Sequence, residues 1–488
     1  MSPMPASRIR LFKPALLGAA LALLMAAGGF QGHLNRLRSE EALGLTRVEP
    51  LENAPPVLAF TTVALGGFRG LIANVLWIRA NDLQQEGKYF EMVQLADWIT
   101  KLEPHFTQVW LMQSWNMAYN ISVKFTDDED RWRWVQQGIR LLRDEGLVLN
   151  PREALLYREL GWFFQHKMGQ NMDNAHIYYK ARWAEAMEAV LGSGFPDFDA
   201  MIQPPDDETA RRVRRLREEY KLDPAVMKEV DQEFGPLDWR LPETHAIYWA
   251  VVGLQKSRPK DLITLRRVIY QSMALATIRG RLMFLEGADG RRALRLSPNL
   301  RLADKADAAY EKMIAEDEEM RFAISQAHKN FLTELVFLCY MNNRPNDATR
   351  WLDKVRRLYP GSIPEGLTAA QYARARFYGS MNDMRNDQVR AVIEGLITQS
   401  YISLAVGDDD QAAGLLKIAN ETWNEYKRKT AGQEDRLTLA PMDEIAAAVR
   451  KTLLAPGAME PALAAQLRTR LGIPPPSDPP KPETLPEP

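Results

Sequence analysis

Residues 235–249, GPLDWRLPETHAIYW, crowd Asp238, Arg240, Glu243 and His245 into a turn and the start of a helix, beside Trp239 and Trp249. An acid, a base and an aromatic wall are what a glycosidase or other hydrolase uses to move protons around a sugar. The same residues also have an architectural reading. Pro242 suits the first position of a helix, and Glu243 would sit at that helix's positive end. Asp238 and Arg240 would then tie down the turn. The architectural reading is preferred, so no catalytic residue is assigned. Asp238, Glu243 and His245 form the catalytic set of the alternative only.

Two other clusters raise the question of a metal. In FTDDEDRWRWV (125–135) four acids run together, Asp127 to Asp130. They lack the spaced ligands and the glycine of a calcium loop. Acids just ahead of a helix instead satisfy its first amides. Trp132 and Trp134 stand two apart, so at most one faces the core. His166 and His176 fall on the two helices of one expected hairpin, without an acidic or cysteine partner at ligand spacing. They are read as hydrogen-bonded or solvated, and neither a metal nor another cofactor is expected. Cys339, the sole cysteine, lies in the apolar run FLTELVFLCYM and is read as a small buried hydrophobe. A disulfide framework is thereby excluded. The chain carries no phosphate-binding loop, no dinucleotide fingerprint and no nucleophile elbow.

The elements that must position these residues follow from composition and period. The 488 residues are 46% hydrophobic and 26% charged, with a net charge of -1. That balance suits a large core and supplies no basic field for nucleic acid, which is not expected as a partner. TARRVRRLREEY (209–220) mixes both signs and reads as a solvated helix face. Arg8, Arg10 and Lys13 precede a 17-residue apolar stretch from Pro14 to Phe30. An uncleaved inner-membrane anchor is favoured there over a signal peptide cut near Ala26-Ala27-Gly28. The basic residues keep the N-terminus cytoplasmic and put the body outside. GIPPPSDPPKPETLPEP (472–488) reads as a disordered tail. Between these ends apolar residues recur at three- and four-residue spacing, and alternating β-branched runs are scarce.

The stretch FTTVALGGFRGLIANVLWIRANDLQQEGKYF (60–90) begins as apolar as a membrane helix. Arg69 and Asn74 within a bilayer would cost several kcal/mol, on the order of 5 together. It is therefore read as the first helix of a stacking unit, over about 73–86, and not as a second span. Residues 57–68 form either a buried cap or a helix on the membrane surface.

The joints carry a pattern. Glu103-Pro104, Asn150-Pro151 and Tyr359-Pro360 each close an amphipathic helix. Trp110 follows the first joint. Leu160, Gly161 and Phe164 occupy L-G-x2-Y positions after the second, with Ala175 and Tyr179 supplying A-x3-F one or two residues late. Ala348, Leu352, Val355 and Pro360 fit a second helix, as do Gly407, Ala412, Leu416 and Ala419. Counting back from Pro104, Gly87 takes the turn between two helices and Ala80 a small-residue position. This resembles tetratricopeptide-repeat proteins, specifically membrane-anchored bacterial ones, over about 70–190 and 330–425. The resemblance implies an all-α fold: a helical-hairpin repeat array (TPR-like α-solenoid) with an N-terminal transmembrane helix. It implies a scaffold that binds a protein or peptide partner in an envelope-associated assembly.

The expected division is 1–30 anchor, 31–56 linker, 57–192 first block, 193–330 helical insertion or irregular units, 331–470 second block and 471–488 tail. Gln113, Asn116, Asn120, Tyr157 and Gln165, on first helices, are expected to line the partner groove as exposed groups. The rival is a periplasmic α/α-toroid hydrolase acting on polysaccharide, with Asp238 and Glu243 facing a central cleft beside tryptophans.

Overall fold

The computed structural model describes residues 69–170, 173–259, 262–286, 292–378, 386–430, 439–455 and 458–474, with isolated positions between 22 and 37. Most of the expected anchor, the linker, residues 57–68 and the tail from 475 lie outside the described residues. Among the described residues no helix is long and apolar enough to cross a membrane.

The chain divides into two compact units. The smaller comprises Met1–Ile78 and Lys101–Pro104. Its described positions from 22 to 37 are helical and exposed, Leu23, Met25 and Phe30 among them. It also holds the start of α1 (Arg69–Gln85), where Leu71, Val75 and Ile78 are exposed.

The larger unit comprises Arg79–Thr100 and His105–Pro488. Among its described residues the regular elements are all helices except for one β-hairpin. After α2 (Tyr89–Leu102) and α3 (Thr107–Trp115) comes α4 (Asp128–Arg140), and then α5 (Ala154–Trp162) and α6 (His176–Leu191). α7 (Phe198–Ile202) is a short helix inside GFPDFDAMIQPPDDE, which the sequence reading takes as a loop. α8 (Asp207–Glu219), α9 (Pro224–Phe234), α10 (Pro242–Lys256) and α11 (Leu262–Arg279) follow. β1 (Arg281–Glu286) then pairs antiparallel with β2 (Arg292–Ser297), Leu282 opposite Leu296. The helical reading of the centre misses this hairpin. Its Leu282, Leu294 and Leu296 pack on Ala184 and Leu241. The remaining helices are α12 (Ala303–Glu316), α13 (Arg321–Met341), α14 (Pro345–Leu358), α15 (Ala369–Tyr378), α16 (Asn386–Ala405), α17 (Asp409–Lys429), α18 (Met442–Leu453) and α19 (Pro461–Leu471). α13 runs through the boundary drawn at 330/331.

Local chemistry sets the ends. Asp127, Asp206 and Asp223 accept hydrogen bonds from the first amides of α4, α8 and α9, as acids ahead of a helix should. α8 buries only Thr209, Val213 and Leu216, so its arginines and glutamates form a solvated face. Gly87 (φ +72) and Gly407 (φ +79) reverse the chain between α1 and α2 and between α16 and α17 in the left-handed region that favours glycine. Consecutive helices joined by short turns pack on each other: α10 with α11, α13 with α14, α16 with α17. Some approach to backbone contact. A Cβ on Gly253 of α10 would fall 2.7 Å from the Tyr157 Cβ of α5, and one on Gly414 of α17 would fall 1.8 Å from the Met341 carbonyl oxygen.

The interior includes Trp110, Leu160, Phe164, Ala175, Tyr179, Ala348, Leu352, Val355, Ala412 and Ala419. Leu416 departs from the pattern. It is 37% exposed because the buried face of α17 runs through Ala412, Ile418, Ala419 and Thr422, to one side of it. Cys339 is buried, and burial pushes its thiol up to about 12.

Three six-residue π turns interrupt consecutive helices of the first block. Asn116–Ile121 continues α3, Leu141–Gly146 continues α4, and Phe163–Met168 continues α5. A π turn accommodates one more residue than an α turn and often marks a functional position.

Candidate functional site

The cluster at 235–249 is interior. Trp239 is fully buried, its indole N–H donating to Asp231 Oδ1 at 3.1 Å and its backbone N–H to the Gly194 carbonyl at 2.8 Å. Asp238 is buried too. It accepts from Arg240 Nε (2.9 Å) and Nη2 (2.8 Å) and from the Leu282 N–H at 3.1 Å, which fastens the turn to β1. Glu243, in the first turn of α10, pairs with Arg279 Nε at 3.0 Å. These contacts match the architectural reading. The two carboxylates of the alternative are buried and each is paired with an arginine, Glu243 through Oε1 alone, its Oε2 being buried without a partner.

His245 lies in the same interior. Its Nε2 is 2.8 Å from the Trp239 carbonyl, which can only accept, so Nε2 carries the proton. Nδ1 is buried without a partner. Burial pushes the imidazole down to about 4, against the pull of the Trp239 carbonyl. In the unfolded chain it protonates near the ordinary histidine value of 6.5. Between these two values the unfolded chain binds more protons than the folded one, so stability is lost as pH falls from about 6.5 towards 4. The full effect is on the order of 3 kcal/mol. Thermal melts across that window should fall more steeply for the parent than for His245→Gln. Parallel slopes would remove His245 as the cause.

The residues expected to line a groove are turned inward. Gln113, Asn116, Tyr157 and Gln165 are buried and Asn120 is half-buried, against the exposure the sequence reading gives them. Gln113 Nε2 donates to the Val93 carbonyl and Asn116 Nδ2 to the Tyr89 carbonyl, each at 3.2 Å. Asn120 Nδ2 reaches Asn116 Oδ1 at 3.2 Å. Tyr157 donates to the Pro151 carbonyl at 3.0 Å, and Gln165 Nε2 to Gln271 Oε1 at 3.2 Å. Asn116, Asn120 and Gln165 lie in the π turns, which depart from the regular helical period, while Gln113 and Tyr157 precede those turns and are held inward by the Val93 and Pro151 carbonyls.

What the same turns present outward is aromatic. Trp115 is 39% exposed and stacks on Tyr119, with ring centroids 5.0 Å apart. Tyr119 Oη is hydrogen-bonded to His166 Nδ1 at 3.0 Å, and His166 stacks on Trp162 at 4.5 Å. Tyr119, His166 and Trp162 are half-buried. The result is a row of four rings carried by α3, α5 and their π turns. Burial lowers the affinity of His166 for a proton, and the neighbouring Lys167 charge adds to this, so the row is neutral near pH 7.

Beneath the row sits a buried ion cluster. Lys167 Nζ lies 5.0 Å from the Tyr119 ring centroid. Asp173 holds both Lys167 and Arg131, and accepts from the Ala175 N–H at 2.9 Å and the Tyr179 hydroxyl at 3.3 Å. Burial alone would push the Asp173 carboxyl up, but its donors and the two cations outweigh that and hold it below the usual range. The cluster fixes the rings from behind. His176, the other histidine of the hairpin, meets Lys180 at 3.2 Å. Lys180 is fully buried, and burial pushes its ammonium down to about 8.

Sequence reasoning located the helices that carry the row and two members of the ion cluster's neighbourhood, Tyr179 and His166. It missed the rings as a set. Their spacing, Trp115 to Tyr119 and Trp162 to His166, is four residues in each case, which is the available signal. No family model matches the chain. No curated protein matches it.

Proposed function

We propose that this chain is a membrane-anchored, TPR-like helical-repeat scaffold that binds a protein or peptide partner in an envelope-associated assembly. The observation that carries the reading is the ring row Trp115–Tyr119–His166–Trp162. It is exposed at one end, neutral, and held rigid by a buried ion cluster. Rigid aromatic side chains give large contact area at little entropic cost, and such residues dominate binding energy at protein interfaces. Support for the array comes from the left-handed glycine turns and from hairpin partners in close contact. Support for the anchor comes from the apolar stretch Pro14–Phe30 and from the exposure of Leu23, Met25 and Phe30.

The test is site-specific photo-crosslinking of the full chain in its own membranes. A crosslinker at Asn120 should give a discrete adduct, whereas one at the exposed Phe322 should not. The pair Trp115→Ala and Trp162→Ala should reduce the Asn120 adduct by tenfold or more, about 1.4 kcal/mol or more in binding. Unchanged adduct in the double variant would end the assignment of this surface. The anchor is tested separately: the full chain should stay in carbonate-washed membranes, and a chain starting at residue 31 should not.

A further inference from the structure

A pocket of about 280 Å³ opens where five connections of the larger unit meet. Phe195 comes from the loop before α7 and Arg281 from the start of β1. Asn299 and Arg301 come from the turn between β2 and α12, Arg344 from the turn before α14, and Asp408 from the turn before α17. None of these belongs to the ring row or to the ion cluster behind it.

Asp408 is the informative residue. It immediately precedes α17, where an aspartate ordinarily accepts from the helix's first amides and contributes about 1 kcal/mol. Here its side chain makes no such bond. The residue lines the pocket instead, with its Oδ1 3.4 Å from Arg281 Nη1. Oδ2 is buried without a donor, although the residue is only 3% exposed. A buried acceptor left unsatisfied costs about 1–3 kcal/mol. The fold therefore gives up a cap and leaves an anionic oxygen without a donor in the wall of the pocket.

Three arginines line the same pocket, together with a second acid, Asp410. Arg344 is committed to Asp410, through Nη2 at 2.9 Å and Nε at 3.2 Å. Arg301 is exposed on its turn, and Arg281 holds Asp408 only at the long distance given above. Phe195, 52% exposed, adds an apolar wall together with Leu300. The volume equals roughly nine water molecules. A donor-hungry carboxylate, arginines and an aromatic wall, in that space, complement a molecule that carries an ammonium, a carboxylate and a side chain together.

We propose that this pocket binds a free α-amino acid, its ammonium on Asp408, its carboxylate on Arg301 and Arg281, and its side chain against Phe195. A chain terminus offers only one of the two charges, and a phosphate or a polyamine only one sign. The observations favour the small zwitterion over all of these.

The test is calorimetric titration of the detergent-solubilised full chain with each of the twenty L-amino acids at millimolar concentration. For the tightest binder, its amide and its N-acetyl derivative are titrated alongside. At least one amino acid should bind, and loss of either charge should weaken binding tenfold or more. Asp408→Asn should weaken the parent ligand tenfold or more. Arg301→Ala should weaken the parent but not its amide. Absence of heat with every amino acid, derivatives that bind as well as the parent, or undiminished binding to Asp408→Asn would each overturn the proposal. Because the ring row lies on other elements, the crosslinking result above is independent of this one.

Discussion

Asp173→Asn should destabilise the body by about 3–5 kcal/mol, the cost of breaking a buried ion pair by removing one partner. Lys167 and Arg131 both turn to this carboxylate, and Lys167 and Asp173 are buried. The substitution leaves two cations facing an amide, one of them the buried Lys167. For a unit of this size the loss corresponds to a drop in Tm on the order of 5 °C. The asparagine is nearly the same size as the aspartate, so packing cannot account for such a loss. Adding Lys167→Met should restore a large part of it, since the uncompensated ammonium is then gone. If the double variant melts no higher than Asp173→Asn alone, the charge argument fails. The ring row should loosen with the cluster, because Lys167 sits under Tyr119.

Trp239→Ala is expected to cost about 3–5 kcal/mol, as for other large core aromatics. The indole is fully buried, edge-on to Phe198 at 5.7 Å and to Tyr248 at 6.2 Å. Its N–H is held by Asp231, which also holds the Leu237 N–H at 2.9 Å, so the turn loses an organising contact together with the volume. This separates the architectural role of the 235–249 segment from a sugar-stacking one. A tryptophan on the wall of a cleft could be truncated with little change in Tm. A shift below about 1 °C, corresponding to about 1 kcal/mol or less, would contradict the interior placement.

These two residues also show how far a sequence can be read. Asp238 with Arg240, and Pro242 with Glu243, are local devices, and the turn and the helix start follow from the chemistry of four neighbours. Gly87 and Gly407 are legible for the same reason, since a short turn between periodic helices needs a left-handed residue. The Asp173 cluster was not legible. Its cations lie 42 and 6 residues away, and only the packing of α4, α5 and α6 brings them together. The inward turn of Gln113, Asn116 and Tyr157 escaped for a related reason. A polar side chain on a helix reads as exposed until a neighbouring carbonyl is found to accept from it. The β-hairpin escaped because RLMFLE and RALRLS are too short for period alone to separate strand from helix, although the GADG between them is a turn signal.

The three π turns carry a further consequence for how the ring row is specified. Each residue advances an α-helix by about 100°. Removing one of Phe163, Phe164 and Gln165 would contract the π turn and leave His166 three residues from Trp162 instead of four, breaking the stacking register without altering a single ring. The apposition is thus encoded in the count of backbone units as much as in the identity of the side chains. Lineages of this chain would then tolerate exchange of one aromatic for another here far more readily than loss or gain of a single codon.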